Sequence, residues 1–402
     1  MKLSSSFALP MLIAATTPFN ENDLAKCKPS KPAECNQIDC CTTYCYGPEN
    51  TGINPPVGPK TCRGDFIFHV EGFYWTSCEE GLDYSIKNDV AVQVVNPSSG
   101  DIEALNNLVN ADYLSYPKHW EFGYKVGIGY ASECDGWDAQ VLWTRFKNRA
   151  FSSNSLGREN NQTLIPLWSA FNSANGSTTF AREINAIWNV NLNMFDFELG
   201  RAFWQGRRVS IRPHVGLRYA SVNQDIDLEQ LGGSWSPRIE PDQDPFNNEV
   251  NITNDFKGTG IRSGVQSLWH LGCGFGIYGN MAASLIYGRF EIDHDENNRL
   301  AVTPYTKQKV LKTEERFKAT RGILDMALGV QWSAFFCGCK YGVSGAIGWE
   351  HHLFFNQNQM WRITRIGADP VALPNNTGEN VFSKRAGSLS TQGWTLTIQF
   401  EF

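Results

Sequence analysis

The chain has 402 residues and a formal charge of −6, with 42% hydrophobic and 19% charged residues. That length admits two ordinary domains or one large all-β barrel, and the mild acidity argues against a nucleic-acid binder. After the N-terminus no apolar run of roughly eighteen residues occurs, which excludes crossing a membrane by helices. The 36 Gly and 13 Trp, without long apolar runs, instead fit alternating barrel strands.

Met1-Lys2-Leu3 precedes an apolar stretch from Phe7 to Ala15, with small residues at Ala14-Ala15. The pattern predicts a secretory signal over residues 1–18; the other reading is a frayed start. Lys26 before Cys27 stands where a lipoprotein needs a small residue. Residues 19–63 form a Cys/Pro-rich periplasmic segment holding Cys27, Cys35, Cys40, Cys41, Cys45 and Cys62. It has no His and no pair of C-x-x-C motifs, so disulfides in an oxidising space are favoured over zinc. The total of 11 cysteines is odd and leaves at least one thiol for an intermolecular bond or none.

The first ribbon is Phe66 to Thr76, followed by a mixed stretch to about Tyr116. Trp120, Phe122, Tyr124, Val126, Ile128 and Tyr130 then alternate with polar or small residues, as successive strand side chains do. After a link at 132–136 come Trp137, Ala139, Val141 and Trp143, and then a polar region over 149–179. A long ribbon from Phe180 to Trp204 changes its apolar face from Trp188, Val190 and Leu192 to Phe195, Phe197 and Leu199. That change predicts a β-bulge near Asn193. A turn at 205–207 leads into Val209 to Tyr219, residues 223–257 look like a loop, and further ribbons fall at 261–277, 281–292, 317–336 and 340–355. The chain closes on Gly393 to Phe402, with Trp394, Leu396, Ile398, Phe400 and Phe402 on one face.

Short links (132–136, 205–207, 278–280, 337–339) alternate with long polar ones (77–116, 149–179, 223–257, 293–315, 356–387). A soluble sandwich has no reason to keep its long loops at one end. Outer-membrane barrels do, with short periplasmic turns, long extracellular loops and an even strand count. The expected fold is all-β: a transmembrane antiparallel up-and-down barrel over 64–402, with ten strands and both termini periplasmic. Twelve strands would result if Gly81 to Val95 formed an extra hairpin.

The central hairpin, Phe195-Asp196-Phe197-Glu198-Leu199-Gly200-Arg201 and Arg212-Pro213-His214-Val215-Gly216-Leu217-Arg218, resembles that of the Legionella-type major outer membrane protein family. The family takes in the MOMP-like porins of chlamydia-related bacteria. Gly81-Leu82-Asp83-Tyr84, Gly348-Trp349-Glu350-His351-His352 and Phe355-Asn356-Gln357-Asn358-Gln359 fit the same pattern, over roughly residues 66–402. The resemblance implies a pore-forming protein of the bacterial outer membrane and supplies no catalytic residue. The Cys-rich segment lies outside it.

The expected pore-lining set is Glu198, Arg212, His214, Arg218, Lys125 and Asp325. A turn at 205–207 would place Glu198 opposite His214 and Gly200 opposite Arg212, with Arg218 further up the same wall. Such a wall is either a charged constriction that biases which solutes pass or a lumen that satisfies its own charges. Inward Gly123, Gly127, Gly129, Gly342, Ser344, Ala346 and Gly348 would free space for a narrow channel. Glu350-His351-His352 and Asp293-His294-Asp295 are expected at the outer rim. They lack a nucleophile or a complete acid–base constellation, so no enzyme, cofactor or metal is expected. Cys134, Cys337 and Cys339 fall in short turns, where they would join the N-terminal cysteines in disulfides within the protein or to envelope neighbours, or remain idle thiols. Arg201 is expected near the periplasmic end of the lipid face. Tyr130, Trp137, Tyr219, Trp269, Trp332 and Trp349 would form interfacial girdles. Phe402 resembles the C-terminal signal read by the barrel-assembly machinery. The expected function is passive passage of small hydrophilic solutes; the alternative is a structural or adhesive surface protein, disulfide-cross-linked, with a closed lumen.

Overall fold

In a computed structural model of the chain, the described residues are 65–89, 108, 110–132, 137–156, 162–170, 181–205, 208–233, 246–300, 307–336, 341–366 and 379–402. The expected signal (1–18), the Cys/Pro-rich segment (19–63) and all nine candidate disulfide cysteines lie outside them.

Ten long strands carry the wall: β1 (Asp65–Glu79), β4 (Trp120–Ala131), β5 (Trp137–Ser155), β7 (Glu183–Arg201), β9 (Val209–Gly233), β10 (Phe246–Gly272), β11 (Phe275–Leu300), β12 (Lys307–Phe336), β13 (Tyr341–Asn358) and β16 (Gly387–Glu401). Each pairs antiparallel with its chain neighbour along the wall. β1 pairs with both β4 and β16, and β9 with both β7 and β10, so the pairing returns on itself. The short β8 (Phe203–Gln205) continues β7 past Ala202 and pairs with β9. Two smaller sheets stand at the long-loop end. One joins β3 (Asp112–Leu114), β2 (Ser85–Asp89) and β6 (Gln162–Pro166); the other is the hairpin of β14 (Trp361–Ile366) and β15 (Glu379–Lys384). Residues 85–89 therefore join this cap instead of supplying the extra barrel hairpin of the twelve-strand alternative.

Two loop expectations are corrected. Residues 223–233 and 246–257 are strand, paired from Asn223↔Asp255 to Gly233↔Phe246. Asp293–Leu300 and Lys307–Glu315 are strand as well. Their outward faces are polar and meet solvent, and their inward faces also bury polar residues such as Gln224, Asn254, Glu296 and Asn298. The short turn expected at 278–280 is instead at Cys273–Gly274. Gly272, Cys273 and Gly274 there all take positive φ (117°, 53° and 82°), which glycine adopts without steric cost.

The expected bulge near Asn193 is absent: β5–β7 and β7–β9 keep unbroken register through it. What changes is the surroundings. At the short-turn end Phe195, Phe197 and Leu199 point outward and are exposed, while Asp196 and Glu198 point inward. Above Met194 the polarity inverts, with Trp188, Val190 and Leu192 buried inside and Asn189, Asn191 and Asn193 outside. Neighbouring strands invert too: Leu217 and Tyr219 face out below Asn223, Asp225 and Asp227, and Leu285 and Tyr287 face out below Arg289, Glu291 and Asp293. A wall that meets lipid below and water above must swap its apolar side at the boundary, and regular strand geometry accomplishes this through sequence alone.

Candidate functional site: the charged lumen

The apolar belt leaves the inward faces of its strands free for polar residues, and these converge. On one wall Glu71 of β1 lies directly opposite Lys125 of β4. Lys125 Nζ donates to Glu71 Oε1 at 2.9 Å and lies 3.3 Å from Glu350 Oε2 of β13. Thr397 Oγ1 donates to the other oxygen of Glu71 at 3.0 Å. On the facing wall Arg212 Nε donates to Asp138 Oδ2 at 2.8 Å, a second guanidinium nitrogen reaches Asp138 Oδ1, and a third reaches Glu198 at 3.4 Å. Arg218 holds Asp196 bidentately at 2.5 and 2.7 Å.

Asp325 of β12 is the hub. It accepts from Arg218 Nη1 at 2.7 Å, from Arg262 Nη1, and from His352 Nδ1 at 2.7 Å. Arg262 Nε also donates to Glu198 Oε1 at 3.0 Å. An ionised carboxylate only accepts, so the His352 proton sits on Nδ1. Four cations (Lys125, Arg212, Arg218, Arg262) thus answer six carboxylates (Glu71, Asp138, Asp196, Glu198, Asp325, Glu350) across eight strands. Lys125, Glu198, His214, Arg262, Asp325 and Glu350 border a cavity of about 100 Å³.

All six residues expected to line the pore project into this lumen, but the pairing of the central hairpin is shifted. Gly200 lies opposite His214, and Glu198 opposite Gly216. The strand continues through β8 to Gln205↔Val209, moving the turn one residue onward and the register by two. Two residues preserve the face, so Arg212 still reaches Glu198. A Cβ on Gly200 would come within 2.6 Å of the Arg212 guanidinium, so this glycine makes room for it.

The other inward glycines do not open space. Added Cβ atoms at Gly123, Gly127 and Gly348 would meet Phe73, Leu142 and Tyr278 at 2.1, 2.3 and 2.2 Å, so larger neighbours already fill the gaps. Glu350 and His352, expected at the rim, are part of the network, while His351 faces outward. Asp293 and Asp295 do lie beyond the belt, with His294 buried inward between them. The sequence reading also missed Glu71, Asp138, Asp196 and Arg262. The alternation that assigned Asp325 inward would have found them. Among the girdle set, Trp137 and Arg201 meet at 5.9 Å, with Phe203 on Arg201 at 5.0 Å. Two cysteines outside the candidate set are placed: Cys78 is a free, exposed thiol at the long-loop end of β1, and Cys273 lies in the β10–β11 turn.

Above the network the lumen is filled. Trp75, Phe146, Ile184, Leu192, Phe256 and Phe290 of the wall pack around Leu82, Tyr84, Leu164 and Trp168 from the loops. Arg362 of β14 ties these loops together. It donates to Asp83 O at 2.8 Å and lies 5.3 Å over the Trp168 ring, whose Nε1 donates to the same carbonyl at 2.9 Å. Glu296 of β11 accepts from Ser169 Oγ at 2.6 Å, the Ala170 N–H at 2.8 Å and Asn248 Nδ2 at 2.6 Å. Burial pushes its carboxyl up to about 7.

Residues 61–402 match the family model of the Legionella pneumophila major outer membrane protein precursor. The chain belongs to that family. It is accordingly an outer-membrane protein, and the short-turn end of its barrel is periplasmic. No curated protein matches it. Among solved structures it is similar to the Escherichia coli outer membrane protease OmpT (9% identity, 84% of this chain and 96% of that one, TM-score 0.34). It is also similar to a Pseudomonas aeruginosa FadL homologue (7% identity, 91% and 98%, TM-score 0.27). The Pseudomonas putida toluene transporter TodX follows at 10% identity, 87% and 92% coverage and a TM-score of 0.23. Scores this low carry nothing about mechanism, and the strand pairings themselves define the barrel.

Proposed function

We propose that the barrel conducts small hydrophilic solutes along a narrow charged lumen, without chemistry of its own, and that the extracellular apolar packing is its closed gate. The observation supporting this reading is the density of ionic groups inside the membrane belt. Replacing buried ion pairs with well-packed apolar residues is often neutral or stabilising. A barrel selected only for stability would have little use for four cations and six carboxylates around a cavity. The Glu198–Arg262–Asp325 group is then the constriction.

The packing of Trp168, Tyr84 and Leu164 into the upper lumen favours the second reading, a structural surface protein whose lumen stays shut. Reconstitution of the refolded full chain in planar bilayers separates the two. The pore reading expects discrete conductance steps, with cation preference raised by Arg262→Ala, which leaves Glu198 and Asp325 less neutralised, and lowered by Glu198→Ala. Protein that inserts yet never conducts would leave the structural reading.

A further inference from the structure

Outward residues on six consecutive strands of the wall form one cross-strand row: Arg145, Asn193, Ser221, Lys257, Arg289 and Lys318. Each lies directly opposite the next. The row beneath it, one outward step toward the membrane, is Trp143, Phe195, Tyr219, Thr259, Tyr287 and Thr320, largely aromatic. Aromatic girdles mark the depth of the interface, so the upper row sits where lipid headgroups begin. It holds four cations and no carboxylate.

Its charges are not matched as others on this wall are. Farther out, Lys309 pairs with Asp295 at 2.7 Å, Lys307 with Glu249 at 2.5 Å and Lys312 with Glu314 at 3.2 Å. In the row, Lys257 and Lys318 have no carboxylate within 4 Å among the described residues, and Arg289 shares only Glu291, at 3.0 Å. Lys257, Arg289 and Lys318 are directly opposed on adjacent strands, an arrangement that is destabilising for like charges unless an anion lies between them. Asn193, whose Oδ1 accepts from Arg145 Nη1 at 2.9 Å, extends the polar strip toward β5. We infer that this row is a docking surface for the phosphate groups of an anionic outer-leaflet lipid, with the girdle beneath it against the acyl chains. The inference is independent of whether the lumen conducts.

The test uses the refolded full chain in a neutral detergent, titrated with a phosphorylated lipid A and with the same lipid after enzymatic dephosphorylation, and followed by native mass spectrometry and the thermal unfolding midpoint. Wild type should bind the phosphorylated lipid in a salt-dependent manner and ignore the dephosphorylated one. The triple variant Lys257→Gln, Arg289→Gln, Lys318→Gln should lose on the order of a hundredfold in affinity, given the usual worth of each basic side chain at an anionic surface. Lys318→Gln alone, which breaks no ion pair, should lose about fivefold and serves if the triple variant does not refold. The control Lys307→Gln, Lys309→Gln should bind as wild type does. Equal binding by the row variants, equal binding of the dephosphorylated lipid, or competition by millimolar inorganic phosphate as effective as the lipid would each overturn the assignment.

Discussion

Glu79 and Asp325 are both buried carboxylates on inward faces, and their surroundings are opposite. Asp325 accepts from two guanidinium groups and an imidazole, so its burial is repaid by charge-assisted bonds. Glu79, above the belt, accepts among the described residues only from Gln224 Nε2 at 3.1 Å, and its Oε2 has no partner among them. Burial pushes it from 4.5 up to about 8. Because the folded value lies above the unfolded one, its contribution to stability is full below about pH 4.5 and is lost as pH rises through 8. His294, buried on β11, has the opposite sign: burial pulls it from 6.5 down to about 4, and its contribution is lost as pH falls across that window. Glu79→Gln keeps the acceptor for Gln224 and removes the ionisation. Taking the difference between variant and wild type cancels His294. At roughly 1.4 kcal/mol per pKa unit, Glu79→Gln should be more stable than wild type by about 3 kcal/mol or more at pH 9. The gap should vanish near pH 5, read from urea unfolding in detergent. An equal gap at both pH values would show that Glu79 ionises as readily in the folded protein as in the unfolded chain.

At the scale of a strand, the inversion in β7 explains most of what the sequence hid. An alternation of two fixes faces but not what each face meets. Trp188–Val190–Leu192 and Phe195–Phe197–Leu199 look like one amphipathic ribbon with a slip in it, whereas they are two environments on one regular strand. The same ambiguity made the upper parts of β9 to β12 resemble loops, because Asn223, Asp225, Asp227 and Asp293 belong to strands standing in water. The last strand was legible because Trp394 to Phe402 lies wholly within the belt and meets lipid along its length. In the site, the alternation of each strand was enough to assign Lys125, Glu198 and Asp325 inward. The partners several strands apart, such as Lys125 with Glu350 across the β1–β16 pairing or Arg218 with Asp325, depend on a closure that no local pattern encodes. The inversion has a direct test in a cysteine-free background. Asn191→Cys should react with a membrane-impermeant maleimide in reconstituted vesicles, and Phe197→Cys should not, while bromolipid quenching of a probe should show the reverse order. Equal labelling at both sites would place the boundary elsewhere and restore the bulge.

For the whole molecule, ionic lumen and apolar cap are two fillings of one cylinder, and the loops decide how firmly the upper one is held. The cap is not a continuation of the wall. Its sheet, β3–β2–β6, is tied to β14 through Arg362 and Trp168 and to β10–β11 through Glu296. Tyr84 adds bonds to Ser152 and Asn154 of β5, and among the described residues the Trp168 ring is the largest loop side chain in the core. Truncating it to alanine removes a buried indole, a loss of about 3–5 kcal/mol where the site cannot collapse, and also removes the donor to Asp83. The barrel wall, paired strand to strand around its circumference, does not depend on that ring. Hydrogen exchange on Trp168→Ala should therefore show lost protection at Ser85–Asn88 and Leu164–Leu167 with no change in β7, β9 or β16, because opening the cap is a local event. Arg362→Ala should give the same pattern more weakly, since Trp168 keeps its own bond to Asp83. Loss of protection spread evenly over the barrel would mean that cap and wall unfold as one unit, and a gate of this kind could not then open by itself.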